Sequence, residues 1–303
     1  MTGAGGLIGS ALSRGLQAAG HHVTPIVRRP ASTGEISWDP ENGRLEPGQL
    51  EGMDAVIHLA GENVGVRWTA ARKHRIKSSR TVGTRLVAEA IARARRRPGV
   101  LVSASAIGIY GNRADEILTE NSPAGDQESD FLARLSREWE AAAEPARAAG
   151  VRVIHPRFGV VLSQEGGALK KMLLPFRLGL GGRLGSGTQW MSWISIDDVV
   201  GGILHVLQTE SFTGPVNVVA PQPVRNRDFT TILGQVVSRP TPFAVPASAL
   251  RLVLGEMANS TLLASARVLP KRLLASGYRF EHPDLGTALR HVLRPSSQAN
   301  FPG

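Results

Sequence analysis

An α/β fold with a doubly wound parallel sheet is what this 303-residue chain predicts. Two observations carry that expectation. Through the first half, strand-like apolar runs alternate with helical stretches, the rhythm of parallel βαβ units. A glycine-rich turn, "MTGAGGLIGSAL", opens the chain and feeds straight into the first helical stretch. Right-handed crossovers require such a sheet to be wound in both directions, and its ligands collect at the carboxyl ends of the strands.

The elements follow in order. Leu7 to Gly20 has apolar residues at helical spacing and stops on a glycine. His22 to Val27 reads as a strand, weakened by Pro25. "DAVIHLAG" (Asp54 to Gly61) has the apolar run of a buried parallel strand. A long helix is expected over Thr69 to Arg96, then a strand and loop over Val100 to Gly111. A helix should cover Ser129 to Gly150, followed by the strand pair Val151 to Leu162. After Gly166 the texture turns glycine-rich, and Asp197 or Asp198 should cap a helix over Val199 to Leu207. Short helical pieces broken by prolines follow Pro240, and Arg294 to Gly303 reads as a loose tail.

The opening turn poses a problem, because no strand precedes it. In the expected fold that first strand is central, flanked by those starting near His22 and Asp54. The sheet therefore looks truncated, and the expectation is an apolar strand beginning about five to eight residues upstream of Met1, given usual strand lengths. Failing that, Met1 to Ala4 must serve as a stub of strand.

Composition narrows the function classes. There is no cysteine, which removes disulfides, thiolate metal sites and cysteine nucleophiles. The eight histidines show no spacing that suggests a zinc site, so no metal is expected. No apolar run approaches the roughly 20 residues that span a bilayer, and no signal peptide precedes the first motif, so a cytoplasmic protein without a membrane partner is expected. The net charge of +10 comes from arginine, lysine occurring only at Lys73, Lys77, Lys170, Lys171 and Lys271. The one dense cluster, Ala92 to Gly99, sits at a helix end, where cations suit the dipole, so no nucleic-acid partner is expected.

Gly3, Gly6 and Gly9 form G-x-x-G-x-x-G ahead of an amphipathic helix. Such glycines permit a tight turn, close approach of a pyrophosphate and close helix packing, while the helix N-terminus offers unpaired N–H groups to phosphate. A carboxylate normally ends the next strand when a ribose 2′-hydroxyl is to be held. Here Val27 is followed by Arg28 and Arg29. Two guanidiniums suit a 2′-phosphate by charge and by fork geometry. The cofactor expected is NADP(H), with Arg28 as the principal contact.

The segments "TGAGGLIG", "DAVIHLAGENV", "SASAIGIYG", "PRFGVVLSQEGGAL", "LPFRLGLGGRLGSGTQWMSWISIDD" and "LPKRLLASGYRF" together resemble one family. It is the epimerase-like, atypical extended short-chain dehydrogenase/reductases, and the resemblance covers Thr2 to Leu293. It implies a Rossmann-type NADP-binding domain over residues 1–165, with returning elements at about 192–225. A smaller substrate domain would comprise residues 166–191 and 226–293. It further implies a pyrophosphate loop of Gly3, Gly6, Leu7, Ile8 and Gly9, and a 2′-phosphate position at Arg28 and Arg29. Leu59, Ala60 and Gly61 would lie beneath the adenosine ribose and pyrophosphate, with Arg80 near the cofactor. The backbone from Pro156 to Val161 would line the nicotinamide end, and Glu62 and Asn63 would face the substrate cleft.

Ordinary members of that superfamily use a tyrosine and a lysine four residues later, the lysine lowering the phenol's pKa. This chain departs from them. Tyr110 is followed four residues on by Ala114 and Tyr278 by His282, and the expected helix reads "FLARLSREWE" with no tyrosine. Phe131 or Leu132 stands near the tyrosine's place, Leu135 or Ser136 near the lysine's. The remaining catalytic candidates are Ser105 and Tyr110, with Glu140 as a third. Gln189 and Trp193 should wall the substrate, beside Trp190. An NADP(H)-dependent oxidoreductase or epimerase acting on a small molecule, as a monomer or homodimer, is the first expectation. A non-enzymatic NADPH-binding regulatory or interaction protein is the alternative.

Overall fold

The computed structural model describes residues 1–294, so all but the first residue of the expected tail lies outside the described residues. The first half runs α1 (Leu7–Ala18), β1 (Ile26–Val27), β2 (Ile36–Ser37), β3 (Ala55–His58), α2 (Ala70–Arg93), β4 (Val100–Ser103), β5 (Ser105–Ala106), β6 (Ile117–Leu118), α3 (Phe131–Ala141), α4 (Glu144–Ala148), β7 (Arg152–Phe158) and β8 (Val160–Leu162). There follow α5 (Gly167–Arg177), β9 (Gly182–Leu184), β10 (Trp190–Met191), β11 (Trp193–Ser195), α6 (Ile196–Gln208), β12 (Gly214–Val218), α7 (Asn226–Val236), α8 (Ala247–Leu254), α9 (Lys271–Ala275) and α10 (Leu285–Val292).

The central sheet is parallel. β12, β7, β4 and β3 pair in that order, with β5 extending the line of β4 alongside β7. At its far side Thr2 bridges in parallel to both His58 of β3 and Ile26 of β1, and β1 pairs with β2. Helices cover both faces, as a doubly wound sheet requires. On one, Leu86, Val87 and Ile91 of α2 and Ala146 of α4 pack on Val56, Leu101 and Val153. On the other, Leu12 and Leu16 of α1 and Val199, Ile203 and Val206 of α6 pack on Ile57, Val102 and Ile154. A further apolar cluster binds α5, α7 and α10 around Trp193.

Several elements differ from expectation for local reasons. The strand read over His22 to Val27 is only Ile26–Val27, because Pro25 interrupts it and the segment before it meets no neighbouring strand. The helix read over Ser129 to Gly150 divides in two, with Pro145 in the first turn of the second piece. The helix expected to start after Asp197 or Asp198 begins at Ile196, capped by Ser195 instead. Ser195 Oγ accepts the Asp198 N–H at 3.0 Å and donates to the Asp198 carboxylate at 2.8 Å, a reciprocal cap.

Thr2 does the work of the expected first strand over one residue. Its N–H donates to the Ile57 carbonyl at 3.0 Å, and the Ile26 N–H donates to the Met1 carbonyl at 2.8 Å. Its hydroxyl accepts N–H groups from Leu59 (3.1 Å) and Ala60 (3.3 Å). The hydroxyl proton is thereby left for Nδ1 of His58, 2.7 Å away, which places the imidazole proton on Nε2. Toward the amino ends of β1 and β3 the sheet is not closed, and a cleft of about 800 Å³ lies between Val23, Thr24, Ala55 and Val56. This cleft opens at the end of the sheet opposite the glycine loop.

His58 is fully buried, and burial, assisted by nearby positive charge, pushes its pKa from 6.5 down to about 3. Between those values the unfolded chain takes up a proton that the folded chain refuses, so His58's contribution is complete above pH 6.5 and is lost as pH falls toward 3. Burial lowers His155 as well. Urea unfolding of His58→Asn, which keeps an acceptor near Nδ1, should show an acid loss of stability shallower by about 1.4 kcal/mol per pH unit in that window. An unchanged slope would refute the assignment.

Candidate functional site

At the carboxyl end of the Thr2 stub the chain turns through Gly3, Gly6 and Gly9 into α1. Gly3 has φ +67°, and a Cβ there would stand 2.9 Å from the Leu59 carbonyl carbon. A Cβ on Gly9 would stand 2.0 Å from the Gly3 carbonyl oxygen, and one on Gly6 3.2 Å from it. The loop is thus folded back on its own backbone and pressed against the end of β3. No side chain caps α1 and its first turn holds no carboxylate, which leaves the positive end of the helix open. Leu7 packs beneath Gly166 and Gly167 at the start of α5, while Ile8, Leu59 and Val161 border the α1 face of the core.

Arg28 and Arg29 follow β1 at the same edge. Arg29 is committed: its guanidinium grips the Glu35 carboxylate through two bonds of 2.7 Å. Arg28 is exposed and makes no ion pair among the described residues. The two predicted 2′-phosphate contacts therefore separate, with Arg28 available and Arg29 neutralising the nearby carboxylate.

After β3 come Leu59, Ala60 and Gly61. The guanidinium of Arg80, from α2, lies beneath Gly61, where a Cβ would stand 3.1 Å from its carbon. Arg80 donates to the Glu62 carbonyl at 2.9 Å and stacks on Trp139 at 4.9 Å. Burial lowers its pKa to about 10, which leaves it charged at neutral pH. Glu62 is ion-paired with Arg72, and Asn63 accepts the Gly65 N–H at 2.8 Å. Lys171 reaches across from α5 to the Gly65 carbonyl at 2.8 Å, which brings a cation to this loop.

Behind the loop lies a buried polar network. Ser105 Oγ donates to Glu140 at 2.6 Å, and Arg157 binds both Glu140 oxygens at 2.8 and 2.9 Å. Burial opposes ionisation of Glu140, but the bonds and charge of Arg157 outweigh it and hold the carboxyl below the ordinary range. Arg157 also donates to the Tyr110 hydroxyl at 2.9 Å, which in turn donates to Asn217 at 2.7 Å. Ser103 is buried beside them with an unpartnered hydroxyl.

Three predicted site residues are corrected. Tyr110 is wholly enclosed, and its hydroxyl is spent on Arg157 and Asn217, so it is a packing and bonding residue rather than a proton donor to a cleft. Gln189 is buried and donates to the Leu184 and Leu262 carbonyls, tying two loops together. Trp193 lies wholly in the core with its indole N–H on the Gln222 carbonyl. Trp190 is half-buried between the guanidiniums of Arg225 (4.7 Å) and Arg267 (4.5 Å). Pro156 is buried within β7, and Val161 is half-buried against β11. Sequence reasoning missed the role of Arg157, whose strand position gives no sign of the carboxylate on α3 that it meets. Phe131 and Leu135 of α3 pack with Trp68, Ile76 and Met257.

Comparison with known proteins fits this architecture. The family model of the NAD dependent epimerase/dehydratase family matches residues 1–219, and a domain of unknown function (DUF1731) matches residues 245–292. The chain is similar to an epimerase family protein of Mycobacterium bovis, 44% identical over 294 residues covering 96% of each chain. It is 38% identical to the human epimerase family protein SDR39U1, over 96% of this chain and 98% of that one. The crystal structure of human SDR39U1 with NADPH superposes with a TM-score of 0.88 over 96% of this chain and 97% of the other, at 37% identity. A nucleoside-diphosphate sugar epimerase of Corynebacterium glutamicum superposes with a TM-score of 0.80 at 38% identity, over 96% of this chain and 57% of that one.

Because Gly9 faces backbone at 2.0 Å while a Cβ on Gly5 would meet nothing within 4 Å, the two glycines should respond differently. Gly9→Ala should abolish binding of a reduced nicotinamide dinucleotide measured by its fluorescence, and Gly5→Ala should leave it within about twofold, a change under 0.5 kcal/mol. Equal effects of the two would contradict the loop geometry. Tyr110→Phe should cost about 1–3 kcal/mol in denaturant unfolding by orphaning Asn217 and Arg157 groups, and a neutral outcome would refute its bonding role.

Proposed function

The chain belongs to the NAD dependent epimerase/dehydratase family, and from that premise we propose that it is an NADP(H)-dependent oxidoreductase or epimerase-like enzyme acting on a small molecule without a Tyr-x-x-x-Lys pair. The observation that carries the cofactor choice is Arg28, exposed and without an ion-pair partner among the described residues, following β1 at the edge where an NAD-preferring site would present a carboxylate. The nearby carboxylate, Glu35, is held by Arg29 and is not free to take a ribose hydroxyl. Human SDR39U1, crystallised with NADPH, supports the same choice.

The loop fits such a group, since a tight turn that only glycine permits leads straight into a helix N-terminus that no side chain caps. Gly3, Gly6 and the first turn of α1 would hold the pyrophosphate, Arg28 the 2′-phosphate, and Leu59 to Gly61 the ribose side, with Arg80 supporting Gly61 from below. When bound, NADP(H) supplies the hydride chemistry, and the protein supplies binding, orientation and electrostatics. Glu62, Asn63 and Lys171 line the neighbouring loop and would face the substrate. Ser105, fixed by an ionised Glu140, is the candidate to contact the reacting oxygen. The protein is expected to be cytoplasmic, a monomer or homodimer, with no nucleic-acid or membrane partner. Among the described residues no helix is long and apolar enough to cross a membrane.

One observation favours a second reading, a non-enzymatic NADPH-binding regulatory or interaction protein. The Ser105 and Tyr110 hydroxyls are both consumed within the protein, and Tyr278 donates to Asp198 far along the chain. A screen of carbonyl compounds and nucleotide sugars, followed by NADPH absorbance, separates the readings. Turnover lost in Ser105→Ala with cofactor binding intact supports the enzyme, whereas NADPH binding with no turnover across the screen supports the second. Arg28→Ala should weaken NADPH about ten- to hundredfold, the worth of a charge-assisted bond, and leave NADH affinity unchanged. Equal loss for both cofactors would refute the 2′-phosphate role.

A further inference from the structure

We propose that Asp197, His282 and His291 form a binding site for a transition-metal ion of the Zn²⁺ type. The three come from separate stretches of chain: Asp197 from the first turn of α6, His282 from the loop before α10, and His291 from the last turn of α10. One donor atom of each lies within 4.8 Å of the other two. Nε2 of His291 is 3.2 Å from Oδ2 of Asp197, and Nε2 of His282 is 3.9 Å from the same oxygen. Tetrahedral zinc with bonds of about 2.0–2.1 Å sets its ligand atoms about 3.3 Å apart. One edge of the triangle is already at that spacing, and small rotations of the half-exposed His291 would close the rest.

A plain ion pair would need only one of the two imidazoles. Here both turn Nε2 toward a single carboxylate oxygen, with ring centroids 4.3 Å apart. His282 Nε2 is buried and has no hydrogen-bond partner among the described residues, its distance to Asp197 being too long for one. It is an orphaned nitrogen aimed at the centre of the cluster. Imidazole nitrogens with one carboxylate suit zinc and its neighbours, not calcium or magnesium, which take oxygen.

The cluster is also held in place. The fully buried Asp198, next to Asp197, accepts the backbone N–H groups of Glu281 (2.8 Å) and His282 (3.0 Å) and the Tyr278 hydroxyl (3.1 Å). That carboxylate clamps the His282 loop to the start of α6. Asp284 caps α10 by accepting the Thr287 N–H at 3.0 Å, which fixes the helix that carries His291. A metal here would join α6 of the sheet core to α10 of the C-terminal segment, with its fourth position toward solvent, since Asp197 and His291 are 39% and 45% exposed.

The test uses the tag-free, metal-stripped full chain. Calorimetric titration with ZnCl₂ should give one saturable site and a raised melting temperature, because a ligand that binds only the folded state stabilises it. CoCl₂ should give the intense visible bands of a four-coordinate site, displaced by Zn²⁺. Asp197→Asn and His291→Ala, at exposed positions where folding can be verified by circular dichroism, should each weaken Zn²⁺ binding at least about tenfold, the loss of one ligand contact. His21→Ala/His22→Ala removes the adjacent exposed pair elsewhere and should bind as the parent does. No saturable Zn²⁺ binding, parental binding by His291→Ala, or loss of the site in the His21/His22 variant would each overturn the proposal.

Discussion

The integrity of the sheet rests on Thr2. Every other neighbouring pair of strands in the central sheet is joined through at least two residues, but β1 and β3 meet only through this one. Its backbone bonds Ile57 and Leu59 on the β3 side while the adjoining Met1 carbonyl takes the Ile26 N–H of β1, and its hydroxyl ties His58, Leu59 and Ala60 together. Because Gly3 follows immediately, the bonds that close the sheet also fix where the glycine loop begins. The position of the cofactor cradle relative to Leu59–Gly61 is thus set by main-chain bonding at a single residue. Loss of the neutral His58 partner would loosen both.

The cradle's chemistry then follows from what is near it and already occupied. Arg29 is neutralised by Glu35 and Glu62 by Arg72, while Arg28 has no ion-pair partner among the described residues. A basic excess of +10 is a weak guide by itself, since most of the arginines are solvated or bonded locally. Only the pairing pattern separates Arg28 from Arg29, and pairing is a property of the folded chain.

The fold was legible because its signals are local. Apolar runs such as Ala55–His58 and Val100–Ser103, glycine stops such as Gly20, and the G-x-x-G-x-x-G spacing each carry their physical cause within a few residues. The glycine loop could be read for the same reason. What failed were inferences that need a partner distant in sequence. Tyr110 looked like a free phenol until Arg157 and Asn217, 47 and 107 residues away, were placed on it. Gln189 and Trp193 sit in a glycine-rich stretch that reads as a loop surface, yet Leu262 and the core of α5, α7 and α10 enclose them. Asp197, His282 and His291 have no recognisable spacing, because their convergence depends on how α10 docks against α6.

The same argument explains why α3 carries neither tyrosine nor lysine at the expected places. Phe131 and Leu135 are 6% and 3% exposed, and they pack with Trp68, Ile76 and Met257. Met257 belongs to the segment matched by the domain of unknown function, so this apolar cluster is one of the places where that segment seats on the core. An unpaired ammonium at Leu135 would be buried in this apolar cluster at a cost of several kcal/mol. Ser136 is equally buried, and Leu132 packs over Gly108. The places where a tyrosine and a lysine would stand thus serve an apolar contact that includes Met257. The polar pair the fold keeps here is instead Ser105 with Glu140 of the same α3, the carboxylate held ionised by Arg157.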